Sequence, residues 1–221
     1  MKINKEKGNY MSEVVKRINR IPKVKRKYNA KEFFEFVKDK EERYELIDGE
    51  IHMMASPSVG HQDINGYIYR KLGNYLEGRR CRVFISPLDV ILFEKNKTKE
   101  EQENINKRGK NQKDDAQNVF QPDVFVVCSP KKISKNRING APDFVIEVLS
   151  PSNAENDYGY KLGAYMKYGV KEYWIVDPET KKILVYIKNK KRLSVNNFTF
   201  EDKIKISIFD DFEIDFKLLD L

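Results

Sequence analysis

The chain has 221 residues, with 42 lysines and arginines against 34 acidic residues. This length suits one folded domain with tails. No segment approaches the roughly 18 to 20 consecutive apolar residues of a membrane-spanning helix, and the N-terminus lacks the apolar core of a secretory signal. We therefore expect a soluble, cytoplasmic protein without a membrane partner.

The formal net charge of +8 is concentrated at the N-terminus. Residues 1–27 hold ten basic and two acidic side chains, so the rest of the chain is electrically balanced. Such a segment can bind phosphates through counterion release, or it can be a solubilising extension without a partner. Both interpretations stay open. We predict that residues 1–27 form a flexible basic tail and that residues 28–221 form one domain.

Apolar patterning predicts alternating helices and strands in the first part of this domain. Helical spacing of apolar residues indicates a helix, and alternation of apolar and polar residues indicates a strand. Asp48-Gly49 is the strongest turn signal, because Asp-Gly between two apolar runs is typical of a hairpin. In chain order the predicted elements are a helix over 30–40, a hairpin over 44–54, a helix over 61–76 capped by the preceding Ser-Pro-Ser, and one bent strand or two strands over 82–93.

Residues 94–117 are almost entirely polar, and such a composition cannot bury enough apolar surface to order itself. The strand patterns on its two sides look like neighbours in one sheet. We therefore predict a flexible hairpin insertion within the domain, and not a domain boundary.

The second part of the domain contains two segments typical of central strands that are covered on both faces. They span 119–128 and 144–149 and are rich in Val, Ile and Phe. The remaining predicted elements are a helix over 157–168 that Gly169 ends, strands over 173–176 and 183–187, edge strands around residues 204–208, and a short element at 216–219.

Two acidic residues, Asp123 and Glu147, lie on these central segments, where apolar packing would not select them. A buried ionised carboxylate loses several kcal/mol of hydration unless it is paired, hydrogen-bonded or bound to a metal. Two such carboxylates on adjacent strands would suit Mg²⁺, which prefers oxygen ligands and keeps several waters.

Cys81 and Cys128 are the two cysteines. Neither belongs to a CxxC or a histidine-paired arrangement that would indicate zinc or redox chemistry. We expect both to be reduced and structural.

Several separated motifs of the chain resemble those of a known family. They are YELIDGE at 44–50, SP at 56–57 with His61, PLDV at 87–90, QPDV at 121–124, GAPDFVIEVLSP at 140–151, Asp157, Lys161 and Tyr165, and GVKEYWIVDP at 169–178. Together they resemble the Uma-type restriction-endonuclease-like family of the PD-(D/E)XK nuclease superfamily. The resemblance implies an α/β (α+β) fold, with a mixed central sheet flanked by helices.

The resemblance also implies the roles of individual residues. Asp123 and Glu147 would bind the divalent metal, Mg²⁺ with Mn²⁺ as an alternative, and the carbonyl of Val148 would join them. The third position of the (D/E)XK element is Leu149 here and not lysine. The resemblance places the lysine instead on the following helix, at Lys161, where it would stabilise charge on the phosphate and orient the attacking water.

Further polar residues have two interpretations each. Glu45 is an additional acid near the metal or a structural ion-pair partner, and His61 contacts phosphate and assists proton transfer or makes a local hydrogen bond. Asp89 either accepts a structural hydrogen bond or lines the site. Asp143 is too close to Glu147 along one strand to be the second metal ligand, and Tyr165 is assigned to the core.

Three functions compete at this stage. The first is a Mg²⁺-dependent endonuclease that hydrolyses DNA, with nucleic acid as its partner and a homodimer expected by analogy. The second is a catalytically inactive nucleic-acid-binding or protein-interaction module on the same fold, since a fold does not guarantee activity. The third is a glycoside hydrolase, which needs a sugar-binding aromatic cleft, and the single tryptophan in a core-like strand argues against it.

Overall fold

The structure is a computed structural model, and it describes residues 26–94, 111–150, 157–190 and 192–219. Most of the predicted basic tail therefore lies outside the described residues, as does the predicted insertion between residues 95 and 110. Within the described ranges, no helix is both long enough and apolar enough to cross a membrane.

Three α-helices are described, and side chains cap the N-termini of the first two. Asn29 and Glu32 form a reciprocal capping box at the first helix, and Ser58 Oγ accepts a hydrogen bond from the backbone N–H of His61 at the second. The helices are α1 (Ala30–Val37), α2 (Val59–Leu76) and α3 (Leu162–Tyr168), with a π-helical turn at Asp157–Lys161 and 3₁₀ turns at Pro130–Lys132 and Phe216–Leu218.

The strands of the described residues form three sheets. They are β1 (Tyr44–Ile47), β2 (Glu50–Met53), β3 (Arg82–Ile85), β4 (Val90–Leu92), β5 (Asn118–Phe120), β6 (Val124–Val127), β7 (Ile138–Asn139), β8 (Phe144–Val148), β9 (Glu172–Asp177), β10 (Lys182–Asn189), β11 (Arg192–Thr199), β12 (Lys203–Lys205) and β13 (Glu213–Asp215). One sheet has the order β2-β1-β5-β4-β7, the second β11-β10-β9-β8-β6-β3, and β12 pairs with β13. The β4–β7 and β8–β9 pairs are parallel and the others antiparallel, which agrees with the predicted mixed α/β architecture.

The predicted strand over 119–128 is split between the two larger sheets. Proline has no N–H to donate to a ladder, and Pro122 marks the point where β5 ends and β6 begins in the other sheet. A similar break occurs between β3 and β4, where the Ser86-Pro87 peptide is cis. The mixed sheets and flanking helices agree with the predicted fold class, and these bent connections divide the strands between the two larger sheets.

Apolar layers cover both faces of the six-stranded sheet except at its edge strand β11, whose side chains are mostly exposed. Helix α2 packs on one face, where Ile68 and Leu72 belong to the same buried apolar cluster as Ile146 and Trp174. The other face packs against α3 and the five-stranded sheet, and Tyr165 of α3 belongs to that layer. Helix α1 covers the outer side of the five-stranded sheet. Burial on both faces explains the continuous apolar sequence of β6 and β8.

The C-terminal end of the predicted insertion contacts the rest of the domain. Ala116 is buried, and its carbonyl accepts a hydrogen bond of 2.7 Å from the backbone N–H of Ala30. The carbonyl of Asp114 accepts a second one from Lys31. Residues 111–117 thus form a turn against the start of α1.

Cys81 and Cys128 form a disulfide, so the expectation that both are reduced is wrong. The register of β3 and β6 explains the pairing. Arg82 lies opposite Val127, which places the two cysteines opposite each other at the next position of the antiparallel pair. The two residues are separated by 47 positions, and sequence alone did not show this register.

Candidate active site

Strand register brings Asp123 and Glu147 together. Val124 pairs with Ile146 in the antiparallel β6–β8 ladder, so the two acids at the adjacent positions lie opposite each other. Successive side chains of a strand alternate between faces, so Glu147 shares the face of Val145, which packs toward α3. The backbone N–H of Asp123 donates to Glu147 Oε2 over 3.3 Å, and that of Val148 donates to Asp123 Oδ2 over 2.8 Å.

Lys161 lies at the end of the π-helical turn, and its side chain reaches Glu147 on β8. Its side chain is buried, with 3% of the residue exposed. The ammonium lies 3.0 Å from Glu45 Oε2 and 3.2 Å from both Glu147 Oε1 and Asp157 Oδ1. The structure thus places Lys161 beside Glu147, and its role in catalysis stays a prediction. π-helical turns are rare and occur frequently at functional sites.

Asp157 and Tyr165 also belong to this cluster. On sequence alone, Asp157 has no assigned role and Tyr165 is assigned to the core. Asp157 pairs with Lys161 at a spacing of four residues, and this spacing was the available sequence signal. Tyr165 is fully buried, as predicted for a core residue, but its hydroxyl also donates to Glu147 Oε1 over 2.8 Å. The hydroxyl of Tyr173 donates to the carbonyl of Asp157 and so holds the π-helical turn in place.

His61 contacts the cluster from the first turn of α2. Its Nε2 lies 3.1 Å from Asp123 Oδ2, and its Nδ1 lies 3.2 Å from the side-chain nitrogen of Asn65. Because the Asn65 amide donates to Nδ1, the neutral ring carries its proton on Nε2 and donates it to Asp123. Burial lowers the pKa of His61, but hydrogen bonding to Asp123 and to the Val148 backbone offsets this, and the net pKa is raised.

Glu45, Asp89 and Asp143 lie outside the cleft itself. Glu45 Oε1 accepts from the backbone N–H of Gln121, while Oε2 pairs with Lys161, so it supports the lysine from behind. Asp89 accepts a hydrogen bond from the side-chain nitrogen of Gln121, in agreement with the structural interpretation. Asp143 pairs with Lys171 and accepts from the backbone N–H of Cys128 at the far end of β8.

The cluster contains four carboxyl groups and one lysine, and burial shifts the pKa values of several of them. Burial raises the pKa of Glu147 well above its ordinary value, even though the Lys161 charge opposes this, and burial raises the pKa of Asp157 to about 6. Burial lowers the pKa of Lys161, but the charges of Asp157, Glu147 and Glu45 outweigh it, and the net pKa is well above the ordinary value. Three of the four carboxyl groups of the cluster, those of Glu45, Glu147 and Asp157, contact the Lys161 ammonium directly.

The cluster opens into a small cleft at the carboxyl end of β8. It is lined by Arg43, Met54, Ala55, Ser56, Pro57, His61, Gln62, Ser86, Asp123, Glu147, Val148, Ser150, Asp157 and Lys161. No three histidine, cysteine or acidic side chains of the described ranges form a complete metal-chelating group. An ion in this cleft would therefore rely on two carboxylates, backbone oxygen and water.

A mixed sheet with paired acids on neighbouring strands and a lysine on the next helix is the arrangement of the restriction-endonuclease-like class. In agreement with this, a crystal structure described as "a putative nuclease belonging to DUF820" from Anabaena variabilis ATCC 29413 superposes with a TM-score of 0.61. The match covers 84% of this chain and 94% of that one, at 20% sequence identity, and it shows the fold.

The chain belongs to the Uma2 family, described as "Putative restriction endonuclease", whose sequence model matches residues 30–218. Two proteins of Synechocystis sp. (strain ATCC 27184 / PCC 6803 / Kazusa) are similar to it. Uncharacterized protein slr1290 is 26% identical over 164 residues, covering 74% of this chain and 75% of the relative. Uncharacterized protein sll1609 is 25% identical over 151 residues, covering 67% and 73%. The predicted family is confirmed.

Proposed function

We propose that the protein is a metal-dependent endonuclease that hydrolyses phosphodiester bonds in DNA, with Mg²⁺ as the cofactor and Mn²⁺ as an alternative. One observation carries the proposal. The backbone N–H of Asp123 and the Lys161 ammonium both contact the Glu147 carboxylate, in a cleft that opens to solvent. This family's description as a restriction endonuclease agrees with that chemistry.

The donor set of the cleft fits a hard divalent cation. Mg²⁺ usually binds through one or two carboxylates and keeps several waters. Asp123 and Glu147 would hold it, with the carbonyl of Val148, and the surplus of carboxylates over cations in the cluster would be reduced. When bound, such an ion polarises the phosphate and lowers the pKa of a coordinated water.

The side chains of the protein would then position the reacting groups. The Lys161 ammonium can hydrogen-bond to the attacking water and to a phosphate oxygen, and Asp157 and Glu45 hold this lysine in place. His61 fixes the orientation of Asp123, and Tyr165 does the same for Glu147. Water would attack phosphorus and release one proton, the phosphorus–oxygen bond to the leaving group would break, and the leaving oxygen would take up a proton.

A nucleic-acid-binding module without catalysis is the second candidate, and one observation favours it. The Lys161 ammonium is nearly inaccessible and already has three carboxylate neighbours, so a substrate would have to compete with them. A metal bound to Glu147 would draw that carboxylate away from the lysine. The two candidates therefore differ in what the cleft does after metal is added.

Cleavage of supercoiled plasmid and of single-stranded DNA tests the proposal. The unmodified protein should cut in Mg²⁺ and stop when EDTA is added, and Asp123→Asn and Glu147→Gln should each abolish cutting. Glu172→Gln is the matched control, because Glu172 is a buried carboxylate on β9 that pairs with Trp174 and Ser207 outside the cleft. DNA binding without cutting in any metal would replace the proposal with the binding module.

A further inference from the structure

Arg43 lies at the wall of the same cleft, directly before β1. It is partly exposed, and its guanidinium makes two side-chain hydrogen bonds across the junction of the two larger sheets. Nε donates to Gln121 Oε1 over 3.0 Å, and Nη2 donates to Ser86 Oγ. Gln121 and Ser86 lie outside the acid–lysine cluster, which is formed by Glu45, Asp123, Glu147, Asp157 and Lys161.

Charge distinguishes Arg43 from the other residues that line the cleft. Among the lining residues within the described ranges, Arg43 and Lys161 carry the permanent positive charges. Lys161 is buried between Glu45, Glu147 and Asp157, so much of its charge is already compensated. A phosphodiester that approaches these carboxylates is repelled unless another cation faces it, and Arg43 is placed to be that cation.

A network of hydrogen bonds orients this arginine before any ligand binds. Gln121 accepts from Arg43, donates through its side-chain nitrogen to Asp89 over 3.0 Å, and donates through its backbone to Glu45 over 2.7 Å. The network links the arginine to Glu45, which also contacts Lys161. Such preorganisation reduces the entropy lost when an arginine binds a ligand.

The side chains of Arg43 and Ser86 both keep hydrogen-bond donors that suit a phosphate. A guanidinium has five N–H groups in a planar fork, and the two contacts above use two of them. The Ser86 hydroxyl accepts from Arg43, so its own proton is available for donation. Arginine forks match the geometry of phosphate oxygens and bind them in a bidentate manner.

We propose that Arg43 and Ser86 form a phosphate-binding subsite that holds a phosphodiester group of the nucleic-acid strand beside the acid–lysine cluster. The subsite deepens the proposed endonuclease function and rests on it for the identity of the strand. Gln121 and Asp89 act as positioning residues for the arginine. The backbone phosphate is the ligand, so the subsite reads no base.

Fluorescence anisotropy with a short labelled DNA duplex tests the subsite in EDTA, where hydrolysis does not occur. Arg43→Met should weaken binding about tenfold and lower the slope of log affinity against log salt by about one. Arg43→Lys should keep that slope but lose part of the affinity, because the charge stays and the fork is lost. Ser86→Ala should weaken binding by a smaller factor without changing the slope.

Arg82→Met is the matched control, because Arg82 is an exposed arginine on β3 that does not line the cleft. Equal losses in Arg43→Met and Arg82→Met would overturn the subsite, and so would an unchanged salt slope in Arg43→Met or no DNA binding by the unmodified protein. Thermal unfolding of each variant verifies that it is folded. A protein that binds DNA through Arg43 and cuts nothing would refute the endonuclease and leave the subsite supported.

Discussion

Replacing Lys161 by methionine should destabilise the protein in a pH-dependent way. The ammonium contacts Glu45, Glu147 and Asp157 at 3.0 to 3.2 Å, and all four side chains are buried. Removing one partner from a buried ion pair costs about 3–5 kcal/mol, because the remaining charge is uncompensated. We expect Lys161→Met to lower the free energy of unfolding by about that amount at pH 8.

The loss of unfolding free energy caused by Lys161→Met should be smaller at pH 5 than at pH 8. Without the ammonium, the carboxylates bind protons more tightly in the folded protein than in the unfolded chain, so stability falls as pH rises through their folded pKa values. Urea denaturation at pH 5 and pH 8 measures the difference. Lys167→Met, an exposed lysine on α3, is the control and should change stability little at either pH. An equal loss for Lys161→Met at both pH values would refute this reasoning.

Three further predictions concern the neighbours of this lysine and the disulfide. Asp157→Asn should gain stability relative to the unmodified protein as pH rises from 4 to 8, because the folded pKa of Asp157, about 6, exceeds the ordinary 3.8. This pKa difference corresponds to about 3 kcal/mol. A stability difference that stays constant with pH in urea denaturation would contradict this. Tyr165→Phe should cost about 1–2 kcal/mol through the lost hydrogen bond to Glu147, and no loss in the same denaturation assay would show that the hydroxyl is not needed. Without reductant, Cys81→Ser should lower the free energy of unfolding by about 2–4 kcal/mol relative to the unmodified protein. With reductant the loss should be much smaller, because the disulfide to Cys128 is then broken in the unmodified protein as well. Equal losses with and without reductant would contradict a contribution from the disulfide.

The paired acids could be predicted because burial and chemistry conflict visibly in the sequence. Asp123 and Glu147 stand in segments of Val, Ile and Phe, where a carboxylate requires a partner. The position of Lys161 came from the family resemblance, since one lysine among many helix lysines has no distinguishing local signal. The hairpin at Asp48-Gly49 and the end of α3 at Gly169 were predictable because both glycines have positive φ.

Features that depend on strand register or on long-range contacts were not predictable. Strand β11 was missed because its side chains are exposed on both faces, so its sequence shows no regular alternation. The disulfide required the pairing of β3 with β6. Tyr165 was assigned to the core from its apolar neighbours, and the contact of its hydroxyl with Glu147 crosses from helix to sheet.

The proposed function depends on divalent-metal binding by Asp123 and Glu147 in the cleft. Isothermal titration of the purified protein with Mg²⁺ and Mn²⁺, alongside Glu147→Gln and the control Glu172→Gln, tests it most directly. We expect metal binding by the unmodified protein and by Glu172→Gln, and its loss in Glu147→Gln. No binding at millimolar metal, or equal binding by all three proteins, would contradict it.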